Sequence, residues 1–392
     1  MTPEARIATA ADLLDQILAG DPAERALTNW ARRSRFAGSK DRAAIRDHVF
    51  DALRCRRSLA LVGGGETGRR LMIGQLLMQG QDPDQVFTGH GHAPSQLSDV
   101  ERAEMQNDPA AVLAAAPRPV ACDMQDWVWP FLTKGYQDRA EEIAISLRHR
   151  APVFLRANLR KSSVPQAIVA LEKEGISAQP HPLSETAIEV TSGARQIARS
   201  RAYATGTVEL QDAASQALSA ALDLRNGMNV LDYCAGGGGK TLAMAARVTA
   251  RFTAYDANPA RLTDLPERAK RAGIQVAITK EPKGRFDLVL CDVPCSGSGA
   301  WRRSPEGKWT LTQSSLHDLN RVQDEILQKA APLVAEGGVL AYATCSLFDA
   351  ENHARVDAFT KTVPNWEVQA QHHWTPQDGG DGFYLACLTR RT

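Results

Sequence analysis

Two cysteines with small polar neighbours are the residues of this sequence best suited to covalent chemistry. Cys295 lies in the stretch Asp-Val-Pro-Cys-Ser-Gly-Ser-Gly at 292–299, and Cys345 lies between a threonine and a serine at 344–346. A cysteine in a core is usually a small, inert residue, but proline, serine and glycine favour turns. Since an ionised thiol is a strong nucleophile, the sequence predicts that Cys295 and Cys345 are working thiols, with Asp292 as the acidic group beside them.

The other five cysteines indicate the environment of the chain. No C-x-x-C pair occurs among the seven cysteines, which argues against a zinc site, and no metal is expected. Unpaired thiols spread along a chain are typical of a reducing compartment, so a cytoplasmic protein is expected. Cys55, Cys122, Cys291 and Cys387 are interpreted as core residues, whereas Cys234 falls in a glycine-rich turn.

That turn, Cys-Ala-Gly-Gly-Gly-Gly-Lys-Thr at 234–241, follows Asp232 and has several interpretations. A phosphate-binding loop needs glycine where Cys234 stands, and a dinucleotide fingerprint needs glycine where Thr241 stands. An S-adenosylmethionine turn needs an acidic residue before it, glycines at alternate positions, and a second acidic residue after the next strand, where Asp256 stands. A strand-to-helix connection without a ligand is the alternative for the turn alone. The pattern favours S-adenosylmethionine, with these expected contacts: Cys234, Ala235, Gly236, Gly237, Gly238, Gly239, Lys240, Asp256 and Asp292.

Strand and helix patterns alternate around these residues from about 206 onward. Apolar strand patterns occur at 230–232, 252–256, 276–278, 287–292, 338–344 and 383–388, with a helix at about 315–333. Such alternation predicts an α/β fold with a mostly parallel sheet and helices on both faces. Ligands of such sheets bind at the carboxyl ends of the strands, where the turn and both cysteines fall.

Two basic segments precede this region. Residues 1–119 have helical apolar spacing, and residues 120–205 combine strand and helix patterns in a small α+β domain. For the first segment, solvated helix faces and a phosphate-contacting surface are the two interpretations. Its basic residues include Arg32, Arg33, Arg35, Lys40, Arg42, Arg46, Arg54, Arg56, Arg57, Arg69 and Arg70. A second cluster comprises Arg148, Arg150, Arg156, Arg160, Lys161, Arg195, Arg199 and Arg201.

Composition sets the outer limits. With 392 residues, 43% hydrophobic and 23% charged, two or three globular domains are expected. The formal net charge of +1 gives no overall attraction to nucleic acid, so such a partner depends on local clusters. No apolar stretch of about 18 residues occurs, and the first residues lack a signal-peptide pattern. No membrane partner is expected, and a monomer is the default.

Taken together, these motifs resemble the Sun/Nop (RsmB-like) family of RNA cytosine-C5 methyltransferases. Matching segments lie at 206–216, 231–235, 238–241, 256, 292–299, 302–309, 323–327, 337–340, 344–346 and 351–352. The resemblance implies a Rossmann-like class I methyltransferase domain at 206–392, an RRM-like domain at 120–205 and an all-α NusB-like RNA-binding domain at 1–119. The chain departs from the family pattern where Gly236 and Gly237 replace Ala-Pro, and where Glu281 is the substitute considered for an acidic residue near the adenine.

The resemblance also implies a mechanism. Carbon 5 of cytosine is a poor nucleophile until a thiolate adds to carbon 6. Cys345 would form this adduct, Cys295 would assist product release, Asp292 would lie at the methyl-transfer centre and Asp256 would hold the ribose of the cofactor. The implied substrate is RNA, with small-subunit ribosomal RNA favoured and transfer RNA second. The rivals are a DNA cytosine methyltransferase, whose nucleophile is the Pro-Cys cysteine, and a non-catalytic RNA-binding or ribosome-assembly factor.

Overall fold

The computed structural model describes residues 1–391, which form two compact units. The first unit comprises residues 1–150 together with 301–310, and the second comprises 151–300 together with the described residues from 311 onward. No helix within residues 1–391 is long and apolar enough to cross a membrane. Nor does any group of His, Cys, Asp and Glu within that range have an arrangement that could hold a metal ion.

The first unit is helical, as its sequence predicts. Polar caps begin several helices, since the Thr2 hydroxyl accepts from the Ala5 amide and the Thr67 hydroxyl from the Arg70 amide. The helices continue past the boundary expected at 119/120, which stays a prediction. In chain order they are α1 (Pro3–Leu18), α2 (Ala23–Arg33), α3 (Ser39–Arg54), α4 (Arg56–Gly63), α5 (Gly68–Met78), α6 (Asp99–Glu104), α7 (Pro109–Ala115), α8 (Arg118–Ala121), α9 (Trp129–Tyr136) and α10 (Ala140–Ser146).

The segment 301–310 packs within this helical unit, although it is distant in sequence. Lys308 is fully buried there, and its Nζ donates to the carbonyl of Arg54 at 2.8 Å. The indole N–H of Trp309 donates to the carbonyl of Leu53 at 2.6 Å. Burial lowers the pKa of Lys308 to about 8. The sequence did not predict this packing. Residues 301–310 lie within 206–392, the range expected to form the methyltransferase domain, and their motif resembles that domain.

The second unit begins with a small α+β arrangement. Its elements are β1 (Val153–Ala157), α11 (Val164–Glu172), β2 (Ala178–Pro180), β3 (Ala187–Val190), α12 (Arg201–Ala204) and β4 (Val208–Leu210). The strands form an antiparallel sheet in the order β2-β3-β1-β4, and Leu171 of α11 packs with Leu155 and Ile188 of the sheet. The predicted strands near 153 and 188 and the helix at 164 are confirmed. The sequence did not predict β2 and β4, which have only three residues each.

The rest of the second unit is a seven-stranded sheet with flanking helices. Its elements, with one helix of the first unit between them, are α13 (Ala213–Ala220), β5 (Asn229–Asp232), α14 (Gly239–Arg247), β6 (Arg251–Ala254), α15 (Leu265–Ala272), β7 (Ala277–Ile278), β8 (Phe286–Asp292), α16 (Glu306–Thr310, first unit), α17 (Gln313–Ala330), β9 (Val334–Thr344), α18 (His353–Thr362), β10 (Trp366–Trp374) and β11 (Phe383–Arg390). The order is β10-β11-β9-β8-β5-β6-β7. Strands β5 to β9 pair in parallel and β10 and β11 pair antiparallel, so the predicted mostly parallel α/β fold is confirmed.

Both faces of this sheet are covered, because successive side chains of a strand point to opposite sides. Leu290 of β8 packs in one core with Leu242 of α14. The next residue, Cys291, packs in the other core with Leu327 of α17. The near-continuous apolar sequence of β8 follows from this burial on two sides, and it leaves the carboxyl edge of the sheet as the place for polar groups.

Candidate active site

The two cysteines singled out by the sequence lie side by side. Their Sγ atoms, in Cys295 and Cys345, are 3.3 Å apart, and both residues are half-buried. The hydrogen bond with Cys345, together with burial, raises the pKa of the Cys295 thiol well above its usual range. Cys295 therefore holds its proton more firmly than an ordinary cysteine does.

Strand register explains why the thiols meet. β8 and β9 are adjacent and parallel, and Asp292 stands opposite Ala343. Cys295 comes three residues after Asp292, and Cys345 comes two residues after Ala343. Two backbone hydrogen bonds of 3.0 Å join the turns beyond the strands, from the Val293 amide to the carbonyl of Ala343 and from the Gly299 amide to the carbonyl of Cys345.

Glu351, to which sequence reasoning assigned no role, joins the two turns next to the thiols. Its side chain is fully buried, and its carboxylate accepts from the Ser296 amide at 2.8 Å and from Nε2 of Gln323 at 3.0 Å. The hydroxyls of Ser296 and Ser346 donate to the same carboxylate. Since each serine directly follows one of the two cysteines, Glu351 fixes the distance between the turns. Its only signal in the sequence was its place in the matching segment 351–352.

Lys240 and Asp292 form an ion pair at the same edge of the sheet. Nζ of Lys240 lies 2.7 Å from Oδ2 of Asp292, and it also lies over the ring of Phe383, 4.9 Å from the centroid. Burial opposes the charge on Lys240, but the Asp292 carboxylate outweighs it and raises the pKa of the ammonium group. Lys240 is therefore a charged donor that holds the Asp292 carboxylate.

Asp232, at the end of β5, is a buried acid with an incomplete set of partners. Burial raises its pKa to about 7, and its Oδ2 accepts from the hydroxyl of Thr241 at 2.6 Å. Its buried Oδ1 has no well-formed hydrogen bond among residues 1–391. A buried acceptor without a partner is costly, so this oxygen suits a donor brought by a ligand.

Asp256 follows β6 and organises the glycine-rich turn. Its carboxylate accepts from the amides of Gly236 and Asn258, each at 2.9 Å, and Nη1 of Arg261 lies 3.3 Å from it. Asp256 is buried, at 5% exposure. The acid predicted to contact the cofactor and the turn predicted to bind it are thus directly joined.

The glycines of the turn are needed for both conformation and space. Gly236 and Gly238 have φ values of +50° and +78°, which side-chain-bearing residues rarely adopt. A Cβ on Gly238 would lie 2.2 Å from the side chain of Leu265, and one on Gly237 would lie 2.8 Å from the guanidinium of Arg268. Arg268 also donates to the carbonyl of Gly237. Of the two glycines that replace Ala-Pro, Gly237 leaves space that Arg268 occupies, and a Cβ on Gly236 would lie 3.2 Å from the guanidinium of Arg261.

Glu281, considered as a substitute near the adenine, lies in an exposed ion pair. Its carboxylate is 3.0 Å from Nζ of Lys283, and both side chains are about three-quarters exposed, at 73% and 76%. The hydroxyl of Thr279 donates to the Glu281 carbonyl at 2.8 Å. Solvent competes for both charges, so the pair holds the carboxylate only weakly.

Several residues of the second basic cluster are structural. Arg156 is buried and donates to the carbonyl of Gly239 at 2.9 Å, and burial lowers its pKa to about 10. Arg160 donates to the carbonyls of Ala245 and Val248, near the end of α14, at 2.9 and 3.0 Å. These guanidinium groups satisfy helix carbonyls and are not free to contact phosphates.

Comparisons with known proteins show which family the chain is similar to. A family model described as 16S rRNA methyltransferase RsmB/F matches residues 219–389, and a model of the ferredoxin-like domain of RsmF/B-like methyltransferases matches residues 125–196. Ribosomal RNA small subunit methyltransferase B of Yersinia pestis bv. Antiqua (strain Angola) is 30% identical over 285 residues. The same-named protein of Salmonella arizonae is 31% identical over 284 residues. In both cases the match covers 68% of this chain and 66% of the relative, slightly less than two thirds of its length.

Solved structures share the fold. The crystal structure of PH0851 aligns with 100% of this chain and 99% of its own, at a TM-score of 0.75 and 21% identity. A methyltransferase homolog protein from Pyrococcus horikoshii covers 70% of this chain and 98% of its own, at a TM-score of 0.61 and 22% identity. NSun6 from the same organism, solved with SFG, covers 69% and 99%, at a TM-score of 0.62 and 16% identity.

Proposed function

Because the chain belongs to the RsmB/F family of methyltransferases, we propose that it transfers a methyl group from S-adenosylmethionine to carbon 5 of a cytosine in RNA. The observation that carries this proposal is the pair of sulfur atoms, Cys295 and Cys345, 3.3 Å apart at the sheet edge that also presents the Lys240–Asp292 ion pair. Methyl transfer to an oxygen or nitrogen uses an existing lone pair and needs no thiol. Carbon 5 has none, so it must be activated by covalent addition at carbon 6.

In the proposed reaction, the Cys345 thiolate adds to carbon 6 and forms a sulfur–carbon bond, which moves an electron pair into the ring and makes carbon 5 nucleophilic. S-adenosylmethionine supplies the electrophilic methyl group that carbon 5 takes. Transfer of the carbon 5 proton to a solvent base then restores the double bond between carbons 5 and 6, and the Cys345 thiolate leaves with the electrons of the sulfur–carbon bond. Cys295 assists this release, because its thiol is within hydrogen-bonding distance of the leaving sulfur.

The remaining site residues have positioning roles in this proposal. Asp292 lies at the methyl-transfer centre, and Lys240 keeps its carboxylate in place. The backbone of residues 234–240 lies against the amino-acid part of the cofactor, and Asp256 accepts from its ribose hydroxyls. The buried Oδ1 of Asp232, which has no well-formed hydrogen bond among residues 1–391, supports a ligand donor at this turn.

The favoured substrate is small-subunit ribosomal RNA, because the matching family and the similar proteins are named as methyltransferases of that RNA. Transfer RNA is the alternative within the same chemistry. A non-catalytic RNA-binding or assembly factor would have no use for two thiols and a buried glutamate that orders both. A DNA methyltransferase would use Cys295 as its nucleophile and leave Cys345 without a function.

A labelled methyl group tests the proposal. The purified chain is incubated with tritiated S-adenosylmethionine and either total RNA or DNA from a strain lacking the gene. We expect label in 16S ribosomal RNA as 5-methylcytosine, and bisulfite sequencing with and without the gene locates the cytosine. Label in DNA alone, or no 5-methylcytosine in any RNA, would contradict it.

A further inference from the structure

Most arginines of the first basic segment are already engaged within the helical unit. Each guanidinium forms an ion pair with a carboxylate: Arg46 with Glu24, Arg54 with Asp51, Arg56 with Glu66, Arg57 with Asp126, Arg69 with Glu101 and Arg70 with Glu104. Four others differ. The side chains of Arg32, Arg33, Arg35 and Lys40 are exposed and have no hydrogen-bond or ion-pair partner among residues 1–391. We call these four residues the cationic patch.

Phe36 lies within the cationic patch and is 75% exposed, an unusual state for a large apolar side chain. A turn presents it, since the Ala37 amide donates to the Ser34 carbonyl at 3.1 Å. Ser34 and Ala37 are buried, at 8% and 3% exposure. The turn between α2 and α3 is thus anchored at both ends and holds Arg35 and Phe36 outward.

Phe36 is one of the residues that line a groove of about 930 Å³. Its other polar lining residues include Thr9 and Asp12 of α1, Gln85, and His90 and His92 in the following loop. Hydroxyl, amide, imidazole and carboxylate groups can pair with the edges of nucleobases. The carboxylate of Asp12 disfavours a phosphate inside the groove, so the anionic part of a ligand belongs on the cationic patch outside it.

We propose that the cationic patch and Phe36 bind a single-stranded segment of the RNA substrate, with one base stacked on the Phe36 ring and its edge directed into the groove. This inference rests on the proposed function, which makes RNA the substrate. The guanidinium forks of Arg32, Arg33 and Arg35 suit phosphate oxygens. An exposed aromatic ring suits a base whose face is free.

Single-stranded RNA fits better than a duplex. In an A-form duplex the base faces are stacked and covered, whereas unpaired nucleotides offer them to aromatic side chains. The helical position of Arg32 and Arg33, in the last turn of α2, also favours cations, but this does not account for Arg35 or for the exposure of Phe36. The ring of Phe36 and the cation of Arg35 on one anchored turn, with Arg32 and Arg33 at the adjoining end of α2, suit an anionic ligand with a flat face.

The binding test uses the full chain and a fluorescein-labelled single-stranded RNA of twelve nucleotides, without cofactor. The triple variant Arg32→Gln, Arg33→Gln, Arg35→Gln should lose at least tenfold in affinity, and the slope of log affinity against log salt should fall by about 2, since each phosphate contact contributes about 0.7. The matched control is Arg225→Gln, Arg321→Gln, Lys329→Gln, which removes the same charge from exposed residues of the second unit. It should stay within twofold of the parent chain.

Substitutions of Phe36 test the contribution of base stacking separately from that of charge. Phe36→Ala should lower affinity for the single strand about fivefold or more, whereas Phe36→Tyr should retain it, because one stacked base contributes about 1–3 kcal/mol. Neither change should alter the thermal midpoint, since the ring has little contact with the core. The inference is overturned if the parent chain does not bind the RNA, if the triple variant binds as well as its control, or if Phe36→Ala has no effect. None of these results bears on methyl transfer, which the labelling experiment tests separately.

Discussion

The carboxylate of Glu351 accepts a hydrogen bond from the amide of Ser296 at 2.8 Å. Glu351 lies after β9 and Ser296 directly follows Cys295, so this bond connects the turns beyond β8 and β9. The hydroxyl of Ser346, which follows Cys345, donates to the same carboxylate. A single buried group therefore sets the position of both thiols. This relationship makes the spacing of the sulfur atoms a property of the fold.

Replacing Cys345 and replacing Cys295 should block the reaction at different steps. Cys345→Ala should abolish methyl transfer, since no nucleophile remains for carbon 6. Cys295→Ala should still form the adduct but release it slowly, which would appear as an RNA–protein band that resists denaturant on a gel. Cys387→Ala, a half-buried cysteine on β11 away from the pair, serves as the control. Normal turnover by Cys345→Ala would refute the assignment of the nucleophile.

Replacing Glu351 should change the positions of the Cys295 and Cys345 thiols although Glu351 is not itself a reacting group. Glu351→Gln puts an amide donor in a buried site surrounded by the donors Ser296 and Gln323, so at least one donor loses its acceptor, at a cost of about 1–3 kcal/mol. We expect turnover to fall about tenfold or more, with cofactor affinity unchanged. The measurement is single-turnover methylation beside calorimetric binding of S-adenosylhomocysteine. A parallel loss of both would instead indicate a general collapse of the sheet edge.

The sequence predicted the strands that carry the site but not the contacts between them. The apolar pattern of β8 and the residue types after β8 and β9 were sufficient to select Cys295 and Cys345, and the resemblance to the RsmB-like family is confirmed by the family and relative matches. The role of Glu351 could not be predicted, because its partners lie up to 55 residues away in sequence. Sequence patterns do not show which distant groups meet.

The sequence also did not show which basic side chains are paired with carboxylates. Arg35 and Arg46 belong to one arginine-rich stretch, yet Arg46 is paired with Glu24, 22 residues away, while Arg35 has no partner among the described residues. Lys308 carries no sequence signal of burial, since lysine is seldom buried, but it packs inside the helical unit. Composition counts charges, and only tertiary contacts decide which of them remain available to a ligand.

Removing the Lys240 ammonium group should weaken the cofactor site. Lys240→Met leaves the Asp292 carboxylate without its partner in a partly buried site, and losing one member of such a pair costs about 2–5 kcal/mol. We expect the dissociation constant of S-adenosylhomocysteine to rise at least tenfold, measured by calorimetry. Lys240→Arg, which keeps the charge, should recover part of the affinity. Unchanged affinity in Lys240→Met would show that the ion pair has no part in binding.

Asp232 should make stability depend on pH in a defined direction. Burial raises its pKa to about 7 in the folded chain, whereas an unfolded aspartate has a pKa near 3.9. Between these values the folded state binds more protons than the unfolded state, so the contribution of Asp232 to the free energy of unfolding falls as pH rises. The penalty is small near pH 4 and complete above about pH 7.

Asp232→Asn removes this titration and keeps an acceptor for the Thr241 hydroxyl. Its thermal midpoint, relative to the parent chain, should therefore be higher at pH 8 than at pH 5, by about 5 °C for a penalty of a few kcal/mol. Differential scanning calorimetry gives the midpoint of variant and parent at both pH values. Comparing the variant with the parent at each pH removes the contribution of the titrating groups that the two chains share. Asp318→Asn, at an exposed position on α17, should show no such dependence. A midpoint difference that is the same at both pH values would mean that Asp232 is ionised in the folded chain throughout this range.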